Sequence, residues 1–243
     1  MNTACLSEQN DPMGAAISDF YRKGKAGRLK VFSSQFEEDD FPVENLFRTF
    51  DEMPVWEQTA LWMSEGRILD VGAGSGCHSL VLKEMGKAVM PIDVSPLSVT
   101  VMKERGLENA RLVNFFDECF CERFDTLLFL MNGSGIVGKV EHLPVFFQRV
   151  KQLLNPGGCV WMDSSDLRYL FEEEDGSFVI DLAAGYYGEI DFRMQYKQVR
   201  GETFDWLYID FDTLSLYASQ CGFCAEKVQE GPHYEYLAKL TLR

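Results

Sequence analysis

Histidine is scarce in this 243-residue chain, with three in all, and basic side chains are outnumbered: 23 Lys and Arg stand against 38 Asp and Glu, a net charge of −15. No lysine or arginine run offsets that deficit. A surface of this sign repels phosphate backbones, so nucleic acid is not the expected partner and a small or cationic ligand is. Long apolar runs are lacking too. The longest, such as residues 127–131, span only a few positions, where a bilayer core needs about 20. Residues 1–11 show neither the basic stretch nor the apolar core of a secretory signal, so membrane insertion and export are not expected. The cysteines, at 5, 77, 119, 121, 159, 221 and 224, are odd in number and scattered through a chain large enough to fold without staples. Reduced thiols and a cytoplasmic protein are the expectation. What the chain does have is core-forming material: 46% hydrophobic residues, including 19 Phe, 9 Tyr and 4 Trp. Such apolar area excludes a disordered chain and suits one large domain or two small ones.

The first 66 residues predict two short helices, over 15–25 and 54–63, around an acidic patch at 37–40, and read as a helical cap (1–66) on the remainder. From Arg67 short apolar runs alternate with helix-period segments. Strands are expected at 68–71, 88–92, 111–115, 126–131 and 159–162, with helices at 77–85, 96–105 and 143–154 between them. That alternation means right-handed crossovers and a parallel sheet. Gly86 and Gly106 sit where left-handed helix caps are wanted, and Ser95-Pro96 makes an N-cap and first-turn pair. After Asp163 the regularity breaks. Strict alternation over 190–197 and a second run over 204–209 predict a hairpin, followed by a helix at 213–220 and two antiparallel strands at 223–228 and 234–242.

The most informative stretch is Asp70-Val71-Gly72-Ala73-Gly74-Ser75-Gly76, a buried strand running into three alternate glycines and then a helix. Bare main chain of this kind is a shelf for a ligand, or else a tight turn. The dinucleotide fingerprint needs a third glycine where Cys77 stands, and no Gly-Lys-Ser/Thr follows for a P-loop.

With Asp70 at the strand end and glycines at 72, 74 and 76, the stretch resembles motif I of the class I S-adenosylmethionine-dependent methyltransferases. The resemblance continues in order. Asp93 closes the second strand where the family places the acid that accepts both ribose hydroxyls, a role suited to an acceptor-only carboxylate; a helix-capping neighbour is the plainer alternative. The resemblance puts Val94 against the adenine face. Residues 114–117 look like the adenine-contacting segment, with Asp117 a possible acceptor for the amino group, although an ordinary polar loop reads almost as well. Residues 124–133 resemble the fourth motif, whose strand end and loop, here Met131 and Asn132, lie under the methionine part. Asn155-Pro156-Gly157-Gly158 looks like the turn before the fifth strand. The likeness covers 67 to about 165. The implied cofactor-binding set is Asp70, Gly72, Ala73, Gly74, Gly76, Asp93, Val94, Asp117, Met131 and Asn132. The implied fold is α/β: a Rossmann-like, seven-stranded, mostly parallel sheet with a reversed last strand, helices on both faces, the N-terminal helical cap, and a β-hairpin insertion at about 166–210 in a 67–243 domain.

Methyl transfer from a sulfonium disperses positive charge and releases a neutral thioether, so positioning and exclusion of water do much of the work and no base is assigned. The expected acceptor is a small molecule: the chain has no Asp/Asn-Pro-Pro-Tyr/Phe and no Pro-Cys pair, as in two kinds of DNA-methylating enzymes. His78, His142 and His233 read as structural, and Tyr186, Tyr187 and Asp163 as residues able to face an acceptor. Cys119 and Cys121 with Cys221 and Cys224 offer four thiolates, but the fold places the pairs near opposite sheet edges, so no metal is expected. Residues 172–175 read as a solvated acidic turn. A protein that binds the cofactor without methylating anything is the alternative reading; oligomeric state is not legible.

Overall fold

The computed structural model describes residues 4–171 and 185–243. In chain order its regular elements are α1 (Pro12–Lys23), β1 (Leu29–Phe32), β2 (Asp39–Phe41), α2 (Val55–Met63), β3 (Arg67–Val71), α3 (Cys77–Glu84), β4 (Ala88–Asp93), α4 (Pro96–Glu104), β5 (Arg111–Leu112), β6 (Phe124–Phe129), α5 (Leu143–Leu153), β7 (Leu154–Ser165), β8 (Glu189–Tyr196), β9 (Val199–Arg200), β10 (Phe204–Leu207), α6 (Phe211–Gln220), β11 (Phe223–Glu230) and β12 (Glu235–Leu242).

Seven strands form the main sheet in the order β11-β12-β7-β6-β3-β4-β5. β3 pairs in parallel with β4 and β6, β4 with β5, and β6 with β7, while β12 runs antiparallel to both β7 and β11. Alternate side chains of the central strands point to opposite faces. Leu127 and Phe129 join Phe146, Phe147 and Val150 of α5 on one face, and Leu128 and Trp161 join Leu61 of α2 and Val81 of α3 on the other. The expected sheet, reversed last strand and two-sided helical cover are all present. β3, β4 and β5 are laid down outward on one side and β6 and β7 on the other, so the strand order reverses between the parallel neighbours β3 and β6, and the carboxyl ends there are where ligands of such sheets bind.

The caps are built by the residues that signalled them: Ser95 Oγ accepts the Ser98 N–H at 2.9 Å at the start of α4, and Gly86 and Gly106 have φ of 76° and 94°. β5 covers only 111–112 of the expected 111–115: the Val113 N–H still donates to the Asp93 carbonyl at 3.0 Å, the last bond of its ladder with β4.

The first 66 residues hold the two helices and, in addition, two strands the sequence reading did not anticipate. β1 pairs with β2 and, across the length of the chain, with β8, whose far edge takes β10, giving a second sheet β10-β8-β1-β2 with β9 on β8. The alternation over 190–196 now has its reason. Met194 and Tyr196 pack inward with Ile17, Leu29 and Met131, and Trp206 of β10 lies so close to Gly135 that a Cβ there would overlap the indole. The expected acidic turn at 172–175 lies outside the described residues. No helix among the described residues is long and apolar enough to cross a membrane.

Candidate cofactor and acceptor site

β3 delivers Asp70, 2% exposed, to the mouth of the glycine loop, where its carboxylate accepts from Ser79 Oγ at 2.7 Å. Burial pushes its pKa up, against the pull of His78 and that hydrogen bond. The loop then folds back onto β4: the N–H groups of Gly72 and Ala73 both reach the Ile92 carbonyl, at 3.0 and 3.1 Å. Gly72 has φ of 72°, and a Cβ added there would meet nothing within 4 Å. Main chain is thus presented bare to open space, a cradle that any side chain would fill. Gly76, at φ 82°, serves differently, because a Cβ there would strike Leu107 Cδ1 at 2.5 Å. The open side of the loop is residues 72–74, where a Cβ at Gly74 would have only Leu46 Cδ2 within 4 Å, at 3.8 Å.

Asp93 stands across from that shelf. Its Oδ2 accepts the Gly74 N–H and its Oδ1 the Ser95 N–H, each at 2.8 Å. Each carboxylate oxygen has a second lone pair to spare. Burial drives the pKa of Asp93 up to about 6, opposed by the two N–H groups and reinforced by Asp11 and Asp70. The side chains therefore fit the adenosyl group on chemistry as well as placement: an acceptor-only carboxylate beside bare backbone, for a diol that donates twice.

The flank beyond Asp93 is covered by the N-terminal segment. The Leu6 N–H donates to the Val94 carbonyl at 2.8 Å, Asn114 Nδ2 to the Ala4 carbonyl at 3.2 Å, and Ser95 Oγ to Asp11 Oδ2 at 2.5 Å. Asp117 is half-buried on this flank, its Oδ1 accepting the Cys119 N–H at 2.9 Å. The Cys5 thiol is pushed up by burial and by the charges of Asp117 and Asp93. On the other side, Met131 and Asn132 follow β6 in left-handed conformations, φ 64° and 56°. The ten anticipated residues therefore gather along the carboxyl ends of β3, β4 and β6 and the loop after β5.

Sequence reasoning missed two groups here. Leu46, in a short helical turn of the cap, offers its carbonyl to Ser75 Oγ and so fastens the cap to the glycine loop. Arg48, Glu57 and His78 form a buried cluster, with Arg48 Nη2 3.0 Å from both Glu57 oxygens and His78 Nε2 2.8 Å from Glu57 Oε2. Burial opposes a charged His78, yet Cys77, Glu57 and Asp70 raise its pKa. Spacings of 9 and 21 residues on separate elements carry no periodic signal. Asp163, read as a residue able to face an acceptor, instead turns its carboxylate to the backbone of the turn after β6. His142 is structural, with Nδ1 3.1 Å from the Val137 carbonyl. Cys119 and Cys121 follow β5 at one sheet edge, and Cys221 and Cys224 flank the start of β11 at the other.

The sheet order and the loop at its switch point define a Rossmann-like α/β protein with a ligand shelf at the strand ends. A family model described as a methyltransferase domain matches residues 69–162. The crystal structure of an S-adenosylmethionine-dependent methyltransferase from Bacteroides fragilis, in complex with S-adenosyl-L-homocysteine, is 64% identical, with a TM-score of 0.94 over 100% of this chain and 99% of that one. The CcbJ methyltransferase from Streptomyces caelestis shares the fold at 13% identity, with a TM-score of 0.63 over 97% of this chain and 99% of that one. A cypemycin N-terminal methyltransferase from a Streptomyces species is 27% identical over 43% of this chain and 46% of its own length, so the chain spans about half of that curated relative. The chain belongs to the S-adenosylmethionine-dependent methyltransferases, and S-adenosylmethionine is its cofactor.

Proposed function

We propose that this protein transfers the methyl group of S-adenosylmethionine to a small-molecule acceptor, with the ten residues named above holding the cofactor. The observation that carries this reading is the pairing of an open Gly72 with a carboxylate, Asp93, fixed to Gly74 across from it. Asp93 accepts the ribose hydroxyls, Val94 and Asp117 flank the adenine, and Gly72, Asp70, Met131 and Asn132 line the methionine end. When bound, the cofactor supplies an electrophilic methyl on a sulfonium, open to in-line displacement.

The chain's own contribution is to orient and to exclude water. Residues 1–66 and the insertion at about 166–210 act together as the acceptor cap, since strands from both make the second sheet. Phe192, Met194 and Trp206, with the exposed Phe204 beside Phe192, form the wall against which the acceptor lies. The net charge of −15 favours a neutral or cationic acceptor over a polyanion. Release of S-adenosylhomocysteine, followed across panels of amines, phenols and hydroxylated small molecules, tests the proposal. Turnover with one class supports it. Tight cofactor binding with no turnover on any panel, in a protein whose cofactor affinity responds to a partner, favours a sensor.

A further inference from the structure

The turn after β6 carries two successive non-glycine residues, Met131 and Asn132, in the left-handed region. That conformation is disfavoured for any residue with a Cβ, and two in a row persist only where the surroundings hold them. The hold comes from three consecutive residues at the end of β7. Asp163, 4% exposed, accepts the N–H groups of Met131 at 3.1 Å and of Gly133 at 3.0 Å. Ser165 Oγ donates to Asn132 Oδ1 at 2.8 Å. Ser164, between them, shares a hydroxyl–hydroxyl bond of 2.7 Å with Ser134. The same two serines reach the insertion: the Ile209 N–H donates to Ser164 Oγ at 2.9 Å, and Ser134 Oγ donates to the Leu207 carbonyl at 2.8 Å. Leu207 ends β10, the strand that carries Trp206 and Phe204.

We infer that Asp163 is a positioning residue for methyl transfer: its carboxylate locks the left-handed Met131–Asn132 turn as the shelf under the methionine part of the cofactor, and Ser164 beside it ties that shelf to the acceptor wall. The inference rests on the reading that Met131 and Asn132 line the cofactor. Burial alone does not explain the arrangement. A structural carboxylate in a core needs partners anywhere, whereas this one spends both oxygens on the two N–H groups that bracket a strained pair.

The test is calorimetric titration of the full chain with S-adenosylhomocysteine. Asp163→Asn keeps the shape but sets an NH2 group against one of the two N–H donors, and is expected to weaken binding about tenfold, the effect of one lost hydrogen bond to a charged group. The same substitution made on an Asn132→Gly background is expected to cost clearly less, because glycine adopts the left-handed conformation without being held. A role confined to general stability predicts an equal loss on both backgrounds, and that result overturns the inference, as does unchanged affinity in Asp163→Asn. If Asp163→Asn does not fold, Ser165→Ala carries the test: a severalfold weakening supports the inference and unchanged affinity overturns it. Asp93→Ala separates this from the reading beneath it. Should Asp93→Ala bind normally, the placement of the cofactor is at fault; should Asp93→Ala fail to bind while the Asp163 and Ser165 variants bind normally, only the positioning role is.

Discussion

Asp93 Oδ2 accepts the backbone N–H of Gly74 at 2.8 Å. The acid at the end of one strand and the loop after its neighbour are thereby one unit, so the shelf and the group facing it keep their spacing without a ligand to organise them. Preorganisation of this kind spares a ligand the ordering cost it would otherwise meet.

Acidification should loosen the cofactor. The Asp93 carboxyl is pushed up to about 6 by burial, and two donating ribose hydroxyls favour its ionised form. Binding therefore lowers that pKa and expels a proton wherever the free protein holds one. Affinity for S-adenosylhomocysteine is expected to be flat above about pH 7 and to fall by up to roughly tenfold per unit well below pH 6. Titrations across about pH 5 to 8 in buffers of different ionisation heat check both the slope and the proton release; affinity that rises on acidification would contradict the assignment.

The free protein should grow more stable as the cofactor loosens. Asp163 is pushed up to about 7 by burial and by Glu57, and Asp93 to about 6. Between their unfolded and folded values the native state holds more protons than the unfolded chain at these carboxylates, so their contribution to unfolding free energy rises as pH falls through that window. The raised His78 works in the same direction, its stabilisation fading as pH climbs through its folded value. Tm by differential scanning fluorimetry is expected to be a few degrees higher at about pH 6 than at about pH 8.

Two glycines of one loop should fail in different ways. Gly72→Ala places a methyl in the open cradle and is expected to weaken cofactor binding more than tenfold with a smaller effect on Tm. Gly76→Ala drives a methyl at Leu107 and Met102 and is expected to destabilise the fold by about 1–3 kcal/mol. Paired titration and thermal melts of both variants decide this, and identical profiles would refute the division of labour.

Glu57→Ala strands two cationic partners in a buried site, since Arg48 and His78 both bond that carboxylate. Breaking a buried pair in this way costs about 3–5 kcal/mol, which in a chain of this size lowers Tm by roughly 10 °C. Trp206→Ala, by contrast, empties the contact with Gly135 on the acceptor wall. It is expected to reduce acceptor turnover severalfold while S-adenosylhomocysteine Kd stays within about twofold of the parent.

The seven-stranded sheet was legible because its central strands β3, β4 and β6 are short buried runs and the helices between them carry their own punctuation, as at Ser95-Pro96 and Gly106. The second sheet was not. β1 and β2 are 4 and 3 residues long, with Lys30, Asp39 and Asp40 among them, and β1 finds its partner β8 more than 150 residues away. β1 also pairs locally with β2, but the sheet is completed by β8, which no local window contains. The candidate site divides the same way. Asp70, the glycine loop and Asp93 sit at fixed offsets from strand ends and announce themselves, whereas the bonds from Asp163 to Met131 and Gly133 depend on β6 and β7 lying side by side, a relation of register rather than spacing.

The proposal that Asp93 and the loop at 72–74 hold the adenosyl group stands or falls on calorimetric titration of the parent and Asp93→Ala proteins with S-adenosylhomocysteine. Loss of two hydrogen bonds to a charged acceptor should weaken binding about a hundredfold or more while the variant still melts cooperatively. An Asp93→Ala protein that binds as tightly as its parent would contradict the account.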